Sequence, residues 1–386
     1  MVKLNEVLFS DIYITPDKIA YIPDNVTPNG LEVLEAEDFD DFFDLIEQSW
    51  DGNNPSYSVM FDEIFYRVER TVSIYGIQYC ARKMPKQVPP FNSLGYPVEL
   101  SQYLLSLSNA SGLILCAGPT GAGKTTTISS LMKEYLTMEG GFAYTIEDPT
   151  EMPLDGVYHS VAGGLGLCKQ TLPPNGNWGE GLKSALRSKP RFIMVGEIRA
   201  LAAAELTFKG ALSGHGVWST LHANSAPAII TRFRDMGVQP YMLADPELMK
   251  GLISQRLFRK LCPHCRVSVK EKLNMPQVQR LKVALGDFGI ENTYMRGPGC
   301  KFCDGRGIKG RMSVPEIILP DAMFLELMIN GETRKAIDYW TSDLNGRPLK
   351  DAAIERMLKG YIDLDEVERW CLTSVRFIRE FSYGSG

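Results

Sequence analysis

A chain of 386 residues with 44% apolar and 23% charged side chains is long enough for two or three packed domains, and its composition is that of a globular protein. Its net charge of −5 argues against a broadly basic nucleic-acid-binding surface. No apolar run reaches the roughly 18–20 residues of a membrane helix. The opening "MVKLNEVLFSDIYI" has no basic segment ahead of a long apolar core, so no secretory signal is expected.

Residues 1–84 read as a small α+β domain. "DIYITPDKIAYI" (11–22) alternates like a half-buried strand, turns at Pro16-Asp17 and continues as a second strand. "DDFFDLIEQSW" (40–50) places Phe42, Phe43, Leu45, Ile46 and Trp50 near one helical face. "FYRVERTVSIYGIQYCARKM" (65–84) alternates again, with a turn near Gly76. The proline-rich "PKQVPP" opens a linker over 85–93. From 94 to 319 short apolar strands alternate with helices, which predicts a parallel α/β sheet. Its candidate strands are 112–118, 141–146, 191–196 and 216–221. A cysteine-bearing insertion follows at about 258–312. Residues 320–386 read as mostly helical, with Gly360 capping "LKDAAIERMLK" and the last residues, "SYGSG", fraying.

In a parallel α/β sheet, ligands gather outside the carboxyl ends of the strands. The first candidate strand runs into Gly118-Pro119-Thr120-Gly121-Ala122-Gly123-Lys124-Thr125-Thr126, which fits G-x-x-x-x-G-K-[ST] at every fixed position. Backbone N–H groups of such a loop turn inward around phosphates, and the helix that follows adds its positive end. Lys124 is placed to reach the β- and γ-phosphates, and the Thr125 hydroxyl to ligate Mg²⁺. The second strand ends at Glu147-Asp148, where a carboxylate can take a proton from water. The third ends at Gly196-Glu197, the position from which an acid holds Mg²⁺ directly or through water. His222 ends the fourth and can sense the γ-phosphate or bridge to Glu197; His215 sits in the turn before that strand.

Cys262-x-x-Cys265 and Cys300-x-x-Cys303 are separated by 34 residues. Four thiolates in two knuckles can close a tetrahedral Zn²⁺ site of the structural kind. Four sulfurs suffice, so His264 is not needed as a ligand. Cys80, Cys116, Cys168 and Cys371 are unpaired in sequence and read as buried apolar residues.

Taken together, these segments resemble the secretion and pilus motor ATPases: those of type II secretion, type IV pili, type IV secretion and conjugation. The phosphate loop, "TIEDPTE" (145–151), "VGEIR" (195–199) and the "GH…STLH" box (214–222) follow the family's order. "SDIYI" (10–14) is similar to its N-domain opening, with Tyr13 where His is common. "FYRV" (65–68) and "ARKMP" (81–85) are similar to segments whose arginines reach a nucleotide on a neighbouring subunit. "QRLFRKLCPHC" (255–265) resembles the helix leading into the zinc module of extension motors. Where the family usually has Asp and then Glu after "GEIR", this chain has Ala200 and Ala202.

The resemblance implies a RecA-like P-loop core, a PAS-like N-terminal domain, a four-cysteine zinc module and a helical C-terminal tail. It casts Glu147 as general base, Glu197 as the Mg²⁺-side acid, His222 as a γ-phosphate relay, and Arg67 and Arg82 as arginine fingers. It further implies ATP, Mg²⁺ and Zn²⁺ as cofactors and a homohexameric ring that hydrolyses ATP at subunit interfaces. Such a ring is cytoplasmic, docked at the bacterial inner membrane on a platform or coupling protein. It powers secretion, conjugative transfer or pilus assembly, without direct nucleic-acid binding. Size and layout favour the type IVB secretion and conjugative motors. Two other readings stay open: a nucleic-acid translocase, and a nucleotide-gated scaffold with little turnover.

Overall fold

The computed structural model of the chain describes residues 2–7, 9–23 and 30–371. By packing the chain divides into two units. The first comprises residues 1–88 together with 147–155, the second residues 89–146 and 156–386.

The first unit is an antiparallel sheet carrying one helix. β1 (Asp11–Ile14), β2 (Ala20–Pro23), β3 (Leu31–Val33), α1 (Phe39–Gln48), β4 (Ser56–Phe61), β5 (Ile64–Ser73) and β6 (Gly76–Lys83) follow one another. The sheet order is β3-β2-β1-β6-β5-β4. Alternation in β1 and β5 sends Ile12, Ile14, Tyr66 and Val68 inward, where Phe42, Phe43 and Ile46 of α1 meet them. Phe42 packs edge-on to Phe61 at 5.4 Å and against Tyr66 at 4.7 Å.

The second unit opens with α2 (Val98–Ser106), β7 (Gly112–Ala117), α3 (Lys124–Met138), β8 (Gly141–Ile146), β9 (Gly156–His159) and β10 (Leu165–Thr171). Next come α4 (Trp178–Ser188), β11 (Phe192–Ile198), α5 (Leu201–Leu212), β12 (Gly216–Leu221), α6 (Pro227–Met236) and α7 (Pro240–Leu243). The sheet order is β16-β13-β7-β12-β11-β8-β10-β9, with β13 (Met249–Leu261) and β16 (Ile308–Ile318) at one edge. The six strands from β13 to β10 run parallel; the outer strands β16 and β9 run antiparallel to their neighbours. β7 and β12 are buried at every position, which is why β7 reads as an unbroken apolar run, while β12 interrupts its own with the hydroxyls of Ser219 and Thr220. Helix α3 lays Ile128, Leu131, Met132, Tyr135 and Leu136 on the sheet, and Tyr135 stacks on Phe192 at 5.1 Å. Each such aliphatic side chain contributes about 1.5–3 kcal/mol on burial, so the start of α3 is held by its whole inner face.

Between β13 and β16 lie β14 (Val267–Ser268), α8 (Pro276–Asn292) and β15 (Tyr294–Met295), with both cysteine knuckles. α9 (Ala322–Ile329), α10 (Thr333–Ser342), α11 (Leu349–Leu358) and α12 (Leu364–Cys371) follow. Val269, Val278 and Leu281 from the insertion share a core with Leu349, Ala353, Met357 and Val367 of the last helices.

One expectation is overturned. Residues 255–261, expected as a helix, are the second half of β13, paired with β16 from Leu252↔Ile318 to Leu261↔Ile308. The first half of the strand, Met249 to Ser254, also pairs with β7, so 255–261 extend an interior strand along β16. Backbone pairing to β16, in continuation of a strand already held by β7, outweighs the helix-compatible composition of "QRLFRKL". Helices α9 to α12 fall within the region 320–386 read as helical; residues 372–386 lie outside the described part, as does the side chain of Cys371.

Candidate active site and cysteine cluster

Four neighbouring parallel strands, β7, β12, β11 and β8, bring their carboxyl ends to one edge of the sheet. Across that edge in order come the phosphate loop after β7, His222 after β12, Glu197 within the last residues of β11, and Ile146 at the end of β8. Glu147 is the next residue in the chain and is almost fully buried. The segment it opens, Glu147–Asp155, groups with the first unit.

The loop's form follows from its glycines and from α3. Gly118 has φ +150°, and a Cβ there would lie 2.6 Å from the Gln255 carbonyl oxygen, so no other residue fits without moving backbone. Gly123 is the N-cap of α3, leaving Lys124, Thr125 and Thr126 in its first turn with their amides unclaimed by preceding carbonyls of the helix. Lys124 is largely buried and its Nζ donates to the carbonyls of Gly118 and Pro119 at 3.0 and 3.2 Å. Pro119, Thr120, Gly121 and Ala122 also line a cavity of about 180 Å³ with Arg256, Phe258 and Trp370. Burial lowers the pKa of the Arg256 guanidinium.

Glu197 stands on an irregularity. The register of β11 against β12 passes from Val195↔Ser219 to Glu197↔Thr220, skipping Gly196, whose carbonyl accepts from the Ser219 hydroxyl at 2.6 Å. Such a bulge re-aims the side chain that follows. The carboxylate is held on both oxygens: His222 Nε2 is 2.6 Å from Oε1, and Arg199 Nε donates to Oε2 at 2.6 Å. The structure thus brings Glu197 and His222 together and adds Arg199. Ala200 and Ala202 take no part in this chain of charges. Thr125 and Glu197 offer the hard oxygens that Mg²⁺ takes. Both oxygens of Glu197 already have a close partner, Oε1 in His222 and Oε2 in Arg199.

Arg67 and Arg82 face each other across β5 and β6 in the first unit. Arg82 is tied to Asp11, Nε to Oδ1 at 2.8 Å, and that bond above all raises its pKa, with Glu151 adding to the effect. Cys116 and Cys168 are buried and Cys80 is half-buried. The other four cysteines converge, all sulfurs lying within 4.8 Å of one another. The Cys262–Cys300, Cys265–Cys303 and Cys300–Cys303 sulfur separations are each 3.8 Å. That is close to the edge of a tetrahedron whose corners lie about 2.3 Å from its centre, the Zn–S distance. The N–H groups of Cys300 and Gly307 donate to Cys303 Sγ at 3.3 and 3.1 Å, as suits a thiolate. His264 packs against Phe302, tilted by 51° with ring centres 4.4 Å apart, and is not among the cluster's residues.

The family model described as "Type II/IV secretion system protein" matches residues 56–369. The chain belongs to this family. It is 32% identical over 314 residues to the type II secretion system protein E of Aeromonas hydrophila, covering 78% of this chain and 58% of the relative. It is 35% identical over 284 residues to the type IV pilus assembly ATPase TfpB of Acinetobacter baylyi, covering 73% and 46%. The chain therefore spans about half the length of these relatives. In fold it is similar to the pilus retraction motor PilT with bound ADP, with TM-score 0.66, 21% identity and coverage of 96% and 97%. It is similar as well to the Legionella pneumophila ATPase DotB, with TM-score 0.63, 19% identity and coverage of 93% and 90%. No helix among the described residues is long and apolar enough to cross a membrane.

Sequence reasoning passed over Arg199 as a partner of Glu197. It also passed over Gln255, a fully buried amide inside an apolar strand. A polar residue amid "GLISQRLF" was the available signal for the second.

Proposed function

We propose that this protein is a Mg²⁺-dependent ATPase, the motor subunit of a secretion, conjugation or pilus apparatus, with a RecA-like core and a PAS-like N-terminal domain. The observation that carries the reading is the row of groups along one sheet edge: a complete phosphate loop, then His222 bonded to Glu197. Lys124 and the loop amides bind and orient the β- and γ-phosphates. Glu197, paired with His222 and Arg199, holds a negative charge at a fixed place on the same sheet edge as the phosphate loop. Mg²⁺, when bound, neutralises charge on the phosphate oxygens. Glu147, buried at the end of β8, takes a proton from the attacking water. Arg67 and Arg82 belong to an exposed sheet, and a neighbouring protomer offers a route by which they meet the phosphates. That arrangement calls for a ring, and the family resemblance for a homohexamer docked at the inner membrane on a platform protein. The four sulfurs hold Zn²⁺ in a structural role.

Phosphate release from Mg-ATP by the purified protein tests the reading. Turnover should fall about 100-fold or more in Glu147→Gln, while nucleotide binding persists. An unchanged release rate in that variant would remove hydrolysis through Glu147 and favour the scaffold reading. Stimulation by single-stranded DNA with steep salt dependence would favour a translocase. Light scattering with and without ATP reads the oligomer, and metal analysis reads the zinc content.

A further inference from the structure

Gln255 lies in β13, is fully buried, and its amide touches the phosphate loop from below. Its Nε2 donates to the carbonyl of Ala122 at 2.7 Å. Its Oε1 accepts from the Thr127 hydroxyl at 3.0 Å, from the Tyr96 hydroxyl, and at 3.8 Å from the Cys116 thiol. The Ala122 carbonyl can only accept, so it fixes which end of the amide is which. Burial raises the pKa of Tyr96 well above its ordinary value and that of Cys116 to about 12, so both remain donors at neutral pH.

We infer that Gln255 is a positioning residue for phosphate binding, and that Tyr96 and Thr127 hold its amide in place. The inference rests on the reading of 118–125 as a nucleotide cradle. Peptide planarity gives the mechanism. A trans peptide points its C=O and N–H to opposite sides. Anchoring the Ala122 carbonyl on Gln255 therefore turns the Gly123 N–H away from β13. Thr127 lies one turn into α3, so a single amide sets the loop against its helix. Tyr96 stands just beyond the linker, so the brace reaches back to the start of the second unit. The main chain at 255 contributes too, since its carbonyl is what excludes a side chain at Gly118.

The test measures binding of ATP and of inorganic tripolyphosphate to the wild type, Gln255→Met, Gln255→Glu and Tyr96→Phe. Gln255→Met keeps shape and loses every bond; affinity for both ligands should fall about tenfold, with kcat changed less than threefold. Gln255→Glu adds a readout that a merely structural role would not move. A buried carboxyl has a raised pKa; below it the protonated acid can donate to Ala122, and above it the carboxylate repels that carbonyl. The titratable groups facing it are Tyr96 and Cys116, and the charge of Lys124 bears on Cys116. The loss relative to wild type should therefore shrink from about tenfold at pH 8.5 to under threefold at pH 5.5. Tyr96→Phe removes one hydroxyl, and its loss should be about threefold for both ligands. If the Gln255 variants do not fold, this single-atom change decides. Affinities within 1.5-fold of wild type, a ratio that does not vary with pH, or a loss confined to ATP would each overturn the inference. A wild type that binds neither ligand would instead overturn the nucleotide reading itself.

Discussion

The phosphate loop and the second cysteine knuckle are both sharply bent segments in which glycine is obligatory, and they are held in different ways. At Gly118 a Cβ would lie 2.6 Å from the Gln255 carbonyl oxygen; at Gly299, with φ +98°, it would lie 2.1 Å from that of Gly305. Behind the phosphate loop stand an all-buried strand, the packed face of α3 and the Gln255 amide. Within the second knuckle itself the only regular structure among the described residues is one short 3-10 turn over Lys301–Cys303, while α8 of the same insertion packs in a separate core with the last helices. What converges there is sulfur. The loop is held by a core that exists without ligand, whereas the knuckle depends on four thiols that repel one another once ionised unless a cation joins them. A loop of the first kind can bind and release a ligand while keeping its form.

The largest effect should come from breaking that dependence. Chelation, or the pair Cys262→Ser with Cys300→Ser, should open the knuckle segments 262–266 and 299–307 locally, raising amide exchange there by a factor of about 1,000 or more. Exchange in the loop and α3 should stay within about threefold of the untreated protein. Equal exchange in both regions would erase the distinction, as would a knuckle that keeps its protection without metal. Next in size is Lys124→Ala, which removes a charge but no packing against the sheet. Its expected cost is about 100-fold in phosphate release, with a melting temperature within about 2 °C of wild type. Gly118→Ala follows. Its new methyl would meet backbone at 2.6 Å and the Ala122 Cβ at 2.9 Å. About 2 kcal/mol of stability should be lost, together with phosphate affinity. A fully stable Gly118→Ala that binds nucleotide normally would show the loop to be softer than its surroundings suggest.

The same contrast explains what could be read from the chain beforehand. The phosphate loop, its strand and its helix occupy about 30 consecutive residues, and local pattern dictates all three. The two C-x-x-C pairs were as plain. β13 was not, because its partners β7 and β16 lie far off in sequence and its "QRLFRKL" half has side chains suited to a helix. β9 and β10 were missed for a similar reason: one face carries the exposed Val157, Leu165 and Leu167, which blurs the alternation of a buried strand. Glu197 and His222 could be paired in advance because each ends a recognisable strand. Gln255 could not be placed, since its role depends on a carbonyl 133 residues earlier in the chain. Groups that bear chemistry showed in local sequence; the group that braces them depended on tertiary structure.

The smallest effect concerns Ala200, where acidic residues are usual in the resembling family. Ala200 is the N-cap of α5, with φ −144° and ψ 163°, and it makes no side-chain cap. The backbone is therefore ready for a capping residue, and the site is exposed. Ala200→Asp should add a cap hydrogen bond and a negative charge at the helix start, together about 1 kcal/mol. For a unit of this size that is a rise of about 2 °C in melting temperature. The new carboxylate would also stand next to Arg199, which donates to Glu197. If the Arg199 bond only tethers a solvent-exposed guanidinium, phosphate release should change less than twofold while stability rises. If release falls fivefold or more as the melting temperature climbs, Arg199 is being drawn away from a carboxylate that needs it. The Glu197–His222 pair would then depend on charge balance as well as on the bulge at Gly196. A variant that melts no higher than wild type would show that α5 does not begin where its backbone angles place it.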